Sequence, residues 1–254
     1  MQSSQANTYE YPLSETMRLC LKAEKLYESI RTQLQSDGST NGHSVLHEVI
    51  WLLKLFERSD VKTRLMKWLV AYQTRAMSWQ RSAQTDTFAL REHLAQLDDL
   101  TQHLGEERLK FRMNQDPFLK AVELSDGSSG LVACQSPILQ VWSHQPKHIW
   151  REQIKSWLGH VSAQIQVISF ILKTLREANI MEHVNAVDGF YQKTLSDMRI
   201  QLIRVHLDTE GVYPQISVGK QRLSITFYRF SPTKQELTLQ DHNTRPFSLA
   251  CCGV

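Results

Sequence analysis

The chain has 254 residues, 41% of them hydrophobic and 22% charged, with a formal net charge of +3. This is the composition of an ordinary globular protein with a real apolar core, and the charge allows a basic patch without demanding a polyanionic partner. No apolar run approaches the roughly 18 to 20 residues that span a bilayer, and ten glycines leave little material for a phosphate-cradling loop.

The N-terminus, MQSSQANTYEYPL, has neither a basic n-region nor an apolar h-region, so no secretory leader is expected. Residues 8–13 are short and aromatic, and they are expected to add an edge strand to a sheet. Ser14 then caps a predicted helix to about residue 34, with Met17, Cys20, Ala23, Tyr27 and Ile30 on one stripe. QSDGSTNGHS is a loop by composition. A second helix is predicted over 44–57, with Val45, Val49, Leu52, Leu53 and Phe56 facing one way. Ser59 is the expected cap of a third, over 59–81, whose apolar stripe runs from Val61 through Leu65 and Leu69 to Ala76. Lys62, Arg64, Lys67 and Arg75 surround that stripe and read as a solvated face.

A fourth helix fits 85–104, with Leu90, Leu94 and Leu97 inside. A shorter helical piece then reaches Met113, and Asp116-Pro117 supplies a cap and first-turn pair for a helix over 117–124. DGSSG is a turn-rich linker, and 131–143 reads as short extended pieces around Ser136-Pro137. Helices return over 146–158 and 162–178, the second apolar on a wide face through Ile165, Ile168, Ile171, Leu172 and Leu175.

Beyond residue 179 the period changes. Strands are expected near 182–192, 198–208, 212–218, 222–230, 236–241 and 246–252. The strongest is 222–230: Leu223, Ile225 and Phe227 alternate with Arg222, Ser224, Thr226 and Tyr228, the mark of a half-buried strand. Gly219 precedes it where a hairpin turn can use positive φ. Lys220, Arg222 and Tyr228 fall on the exposed side. Helices first and strands last predict an α+β fold: a helical domain over 1–178 packed with a mainly antiparallel β-domain over 179–254.

Motifs for catalysis are absent: there is no G-x-G-x-x-G, Walker loop, G-x-S-x-G or H-E-x-x-H. His43 and His47 are spaced for one helix face, but no second ligand pair lies nearby and ten histidines make the spacing expected by chance. Cys251 and Cys252 are adjacent and point to opposite faces of a strand. With Cys20 and Cys134 they make no C-x-x-C pair, which reads as reduced thiols in a cytosolic protein. A binding role is expected, with no cofactor and no enzyme activity.

Several strings, taken together, resemble the ZapD family of bacterial cell-division proteins. They are YPLSETMR at 11–18, FERSDVKTRL at 56–65, PILQVW at 137–142, DGFYQ at 188–192, YPQISVGKQRLSITF at 213–227 and LACC at 249–252. The likeness runs through nearly the whole chain in family order. It implies a helical domain joined to a β-domain, a homodimer, and a basic pocket for the C-terminal tail of FtsZ, whose filaments the dimer bundles at midcell in the cytoplasm. By the same resemblance Arg58 and Arg222 belong to that pocket, and Thr226 stands where some relatives carry a further arginine. Lys220, Arg229 and Arg245 complete the expected basic set. No membrane partner is implied. Nucleic acid, drawn by the basic helix over 62–81 and the basic sheet face, is the alternative partner.

Overall fold

The computed structural model of the chain describes residues 7–36, 42–79, 87–106, 112–126, 137–195, 199–230 and 238–253. Contacts divide the chain into two units: Leu19–Ile171, and a second made of Met1–Arg18 with Leu172–Val254. After one short strand at Thr8–Pro12 the helices come first and the remaining antiparallel strands last, so the architecture is α+β, as the change of hydrophobic period predicts.

Eight α-helices lie among the described residues. They are α1 (Glu15–Gln35), α2 (Gly42–Glu57), α3 (Val61–Trp79), α4 (Thr87–Glu106), α5 (Pro117–Asp126), α6 (Pro137–Ser143), α7 (Lys147–Gly159) and α8 (Ser162–Glu177). A 3-10 turn, Met113–Gln115, precedes α5. The expected cap of α1 is present: the Met17 amide donates to Ser14 Oγ at 3.2 Å. At α3 the first helical acceptor is the Asp60 carbonyl, which takes the Arg64 amide at 2.9 Å, so the helix begins one residue later than a Ser59 cap requires. At α5 the amides of Phe118 and Leu119 both donate to Asp116 Oδ1 at 2.9 Å, and Pro117 takes the first turn, where its missing N–H costs nothing.

Asp116 has a second role. Its Oδ2 accepts from Trp157 Nε1 at 2.8 Å. That indole stacks on Phe118 at 5.7 Å and lies 6.3 Å from Trp142, which in turn neighbours Trp150 at 6.2 Å. The cluster fixes the inner ends of α5, α6 and α7 through large buried aromatic surfaces. It also explains Gly42: a Cβ there would sit 3.3 Å from Trp142 and 3.4 Å from Trp150. Trp51, on the same helix as the buried residues Leu52 and Leu53, faces outward. It is 55% exposed, with Lys22 Nζ 5.2 Å from its ring centre.

The expected extended pieces over 131–143 are corrected in part. Residues 137–143 form α6; 131–136 lie outside the described residues. Proline reads as a break in a short segment, yet Pro137 is the first residue of the helix, the one helical position that tolerates it.

The second unit holds two antiparallel sheets. The first has the order β1 (Thr8–Pro12), β4 (Ile200–His206), β8 (Arg245–Gly253), β2 (Glu182–Ala186). The second has β3 (Phe190–Thr194), β6 (Arg222–Phe230), β5 (Val212–Val218), with β7 (Thr238–Gln240) also on β6. Ile203, Val205, Phe247 and Leu249 from the first sheet meet Leu223, Ile225 and Phe227 from the second in one core. Phe227 packs edge-on to Phe247 at 5.1 Å. The alternation along β6 is therefore confirmed, with its three apolar residues fully buried.

Two turns differ from expectation. The strand predicted over 182–192 is two strands, because Asp188 (φ 52°) and Gly189 (φ 68°) turn the chain from one sheet into the other. Gly189 is fixed by proximity as well as by φ: a Cβ there would lie 1.7 Å from the Asp241 carbonyl oxygen. Gly219 does not take positive φ; Gly211, before β5, does so at 70°. The β5–β6 hairpin closes instead through the Gly219 amide on the Arg222 carbonyl at 2.8 Å.

The last turn of α8 belongs to this unit and covers the first sheet. Arg176 donates to both oxygens of Glu10, at 2.8 and 2.6 Å, and Arg204 Nε adds a bond at 3.0 Å. Arg204 also donates to the Arg176 carbonyl at 3.3 Å. Burial alone would raise the Glu10 pKa; the bonds and charge of Arg176, with those of Arg204, outweigh it and hold the carboxyl below its usual range. No helix among the described residues is long and apolar enough to cross a membrane.

Candidate functional site

In the helical unit the corner between α2 and α3 carries Arg58. Its side chain is 52% exposed, and Nη2 donates to Asp60 Oδ2 at 3.2 Å. Arg64 Nε donates to the same oxygen at 2.6 Å. That Arg64 bond depresses the Asp60 pKa; desolvation opposes it, and the bond and charge of Arg58 add to the lowering. The pair holds the corner while leaving one edge of the Arg58 guanidinium toward solvent.

Beside this corner lies a groove of about 760 Å3, bounded by α2, α3 and the start of α8. Its floor is apolar, from Leu53, Phe56, Val61 and Val161, all nearly fully buried. Arg58, Lys62 and Lys67 stand on its lining. Lys62 Nζ reaches the Gly105 carbonyl at 3.1 Å, at the C-terminal end of α4 where a cation suits the helix dipole. The lining includes one carboxylate, Glu57, and its Oε1 accepts the Met113 amide at 2.5 Å. The groove is thus apolar below and basic at the rim.

In the sheet unit Lys220 and Arg222 are both exposed at the β5–β6 hairpin, and neither forms an ion pair among the described contacts. Residues directly opposed in an antiparallel pair share a face. Across the outer face of the second sheet Arg222 stands opposite Thr194, Ser224 opposite Gln192 and Ser217, and Thr226 opposite Phe190 and Gln215. Tyr228 stands opposite Tyr213 and stacks on it at 5.9 Å. Phe190 and Phe230 are 42% and 53% exposed. None of these face residues is acidic. The aromatic end of this face escapes sequence reading because Tyr213 and Phe190 belong to strands whose register with β6 is not written in either one.

Arg229 and Arg245 meet at Asp241. Arg245 is 8% exposed; its Nε and Nη2 lie 3.2 and 2.5 Å from Asp241 Oδ2, and Nη1 donates to Thr209 Oγ1 at 2.6 Å. Arg229 Nη2 lies 3.7 Å from Asp241 Oδ1 with its side chain 47% exposed. Desolvation pushes the Asp241 pKa up, but bonds from Arg245 and Asn243 and the charges of both arginines bring it below its ordinary value.

Of the five basic residues expected at the site, Arg58 lies on the helical unit's groove and the other four lie in the sheet unit. Lys220 and Arg222 share one hairpin, while Arg229 and Arg245 share one carboxylate. Elsewhere His43 and His47 have ring centres 5.6 Å apart, and desolvation followed by the neighbouring ring lowers the His43 pKa. Among the described residues no three His, Cys, Asp or Glu side chains gather as a metal site would require. Burial pushes the thiols of Cys20 and Cys252 up to about 12, which leaves them in the unreactive thiol form at neutral pH.

The profile of the family described as "ZapD: Cell division protein" matches residues 21–226. The chain is 27% identical over 252 residues to the cell division protein ZapD of Coxiella burnetii, covering 97% of this chain and 98% of that one. It is 29% identical over 252 residues to that of Pectobacterium atrosepticum, covering 96% of each. It is 29% identical over 247 residues to that of Klebsiella pneumoniae, covering 96% and 98%.

Proposed function

This chain belongs to the ZapD family of cell division proteins, and from that premise we propose that it binds the C-terminal tail of FtsZ and, as a homodimer, cross-links FtsZ filaments in the cytoplasm at the division site. It acts by binding and carries out no catalysis. The observation that carries the reading is that Arg58, Lys220 and Arg222 are exposed, at surfaces where carboxylates are absent or already engaged. A flexible acidic peptide suits such arginines, whose planar fork pairs with carboxylates. Arg229 and Arg245 enter through Asp241: Arg229 keeps an exposed edge for the tail, and Arg245 sets the carboxylate that positions it.

Bridging follows from symmetry. One tail site decorates a filament, whereas a two-fold dimer presents two equivalent sites and joins two tails. Many weak bridges along neighbouring filaments then add through effective concentration. Co-sedimentation of FtsZ filaments tests this. Wild type pellets bundles, and a monomeric variant that still binds the tail does not; bundling by such a monomer overturns the bridge.

The stacked Tyr213–Tyr228 pair, on the same outer face as Arg222 and six residues along β6 from it, favours one second reading, a single-stranded nucleic acid stacked on the outer sheet face. Tight, salt-sensitive binding of an oligonucleotide with no binding of the FtsZ tail supports it over the first.

A further inference from the structure

The second sheet ends on β5, and among the described residues no strand pairs with its far edge. Along an antiparallel pair, residues alternate between those bonded across the pair and those whose N–H and C=O point the other way. The Gly219 amide donates to the Arg222 carbonyl at 2.8 Å and the Phe230 amide to the Gly211 carbonyl at 2.9 Å, which sets the phase. Tyr213, Gln215 and Ser217 therefore bond to β6, opposite Tyr228, Thr226 and Ser224. Pro214, Ile216 and Val218 turn their backbone groups outward. Pro214 is tolerated there because that edge asks nothing of its missing N–H. Ile216 and Val218 each present an N–H and a C=O with no backbone partner among the described residues. Gln215 and Ser217 along the same stretch are exposed. The Val212 carbonyl accepts from the Tyr9 hydroxyl at 3.1 Å, so the open stretch is 214–218.

Sheet edges are commonly guarded by charge. The first sheet follows that rule: its edge strands carry Glu10, bonded to Arg176, and Glu182, bonded to Lys193 of β3. β5 has no charged side chain. It runs instead into Lys220 and Arg222, both exposed and outside any ion pair among the described contacts, while exposed Glu210 lies before its other end. A neutral edge that is basic at one end and acidic at the other suits an extended peptide whose carboxylates lie toward the hairpin.

Resting on the tail-binding reading above, we infer that the FtsZ tail binds as an added strand on the open edge of β5, its backbone bonded to Ile216 and Val218 and its carboxylates directed to Lys220 and Arg222. Main-chain bonds supply affinity, and side chains at alternate positions lie over the outer face that Arg222 and Tyr213 share.

The test uses FtsZ tail peptides that carry a single N-methyl group at successive positions, each titrated with the full wild-type chain. A strand bonded along one edge loses affinity at every second position, by about fivefold for each lost donor, and keeps it in between. Amide hydrogen exchange followed by NMR is expected to slow about tenfold or more at Ile216 and Val218 when unmodified tail is added. Ser217, already bonded to β6, changes little. Ile216→Pro removes one edge donor without touching the β6 ladder and is expected to weaken binding about fivefold, with its fold checked by circular dichroism. If Arg222→Glu weakens binding while N-methylation shows no period of two and the Ile216 and Val218 amides exchange as before, the inference is overturned and the tail reading stands. If those amides become protected on raising the protein concentration alone, and adding tail changes nothing further, the edge joins two copies and the inference is overturned. If wild type does not bind the tail, both fall.

Discussion

Arg245 and Asp241 form a buried ion pair in which two guanidinium nitrogens lie 2.5 and 3.2 Å from a single carboxylate oxygen. The pair ties the start of β8 to the segment that follows β7, and Arg245 adds Thr209 from the β4–β5 connection. Removing one partner leaves the other charge buried and unopposed. Arg245→Ala is therefore expected to destabilise the sheet unit by about 3 kcal/mol in urea unfolding. The affinity of the folded variant for the FtsZ tail should fall much less than that of Arg222→Glu. Equal losses from the two would give Arg245 a direct tail contact.

Glu10 predicts an acid-sensitive step. Its folded pKa is depressed, with burial opposing and Arg176 and Arg204 prevailing. Stability from this carboxylate is full above its unfolded pKa, near 4.3, and is lost as pH falls through the lower folded value. Urea midpoints of wild type should therefore drop more steeply between about pH 5 and pH 3 than those of Glu10→Gln, which lacks the titrating group. Parallel slopes would show that other carboxylates govern acid unfolding.

Gly189 should not tolerate a side chain. Its φ is positive and a Cβ would strike the Asp241 backbone, which is not a flexible side-chain end that can move aside. Gly189→Ala is expected to cost on the order of 3 kcal/mol, read as a lower thermal midpoint. A control, Gly105→Ala, meets open space within α4 and should be neutral or slightly stabilising.

Thr226 lies on the outer face of β6 between Phe190 and Gln215, with Arg222 further along the same strand. An arginine there would extend the basic face without entering the core. Thr226→Arg is expected to tighten tail binding about two- to fivefold and to leave stability nearly unchanged. Unchanged affinity would mean that the tail does not run along this strand.

What was legible in the chain follows from how local each cause is. Ser14, Asp116-Pro117 and the alternation of Leu223, Ile225 and Phe227 act within a few residues, so their helices and strand could be read directly. Pro137 misled because one residue type serves both as a breaker and as a first-turn residue. The turn at Asp188-Gly189 was hidden inside a run that suits a strand, and it is compelled by a close approach to Asp241, far along the chain. The Glu10–Arg176 pair joins residues 166 apart, and the groove needs three helices at once. Nothing local announces either. For the site, the chain itself pointed to exposed Lys220 and Arg222, and resemblance added Arg58. That Arg229 and Arg245 converge on one buried carboxylate depends on the pairing of β6, β7 and β8, which only the folded structure supplies.

The central claim is that basic residues of this chain hold the FtsZ tail. Its most direct measurement is an anisotropy titration of labelled FtsZ tail peptide with the wild-type chain, Arg58→Glu and Arg222→Glu, at low and physiological salt. Saturable binding is expected for wild type, weaker as salt rises, with each reversal costing about tenfold or more. Absence of binding by wild type, or binding indifferent to both reversals and to salt, would contradict it.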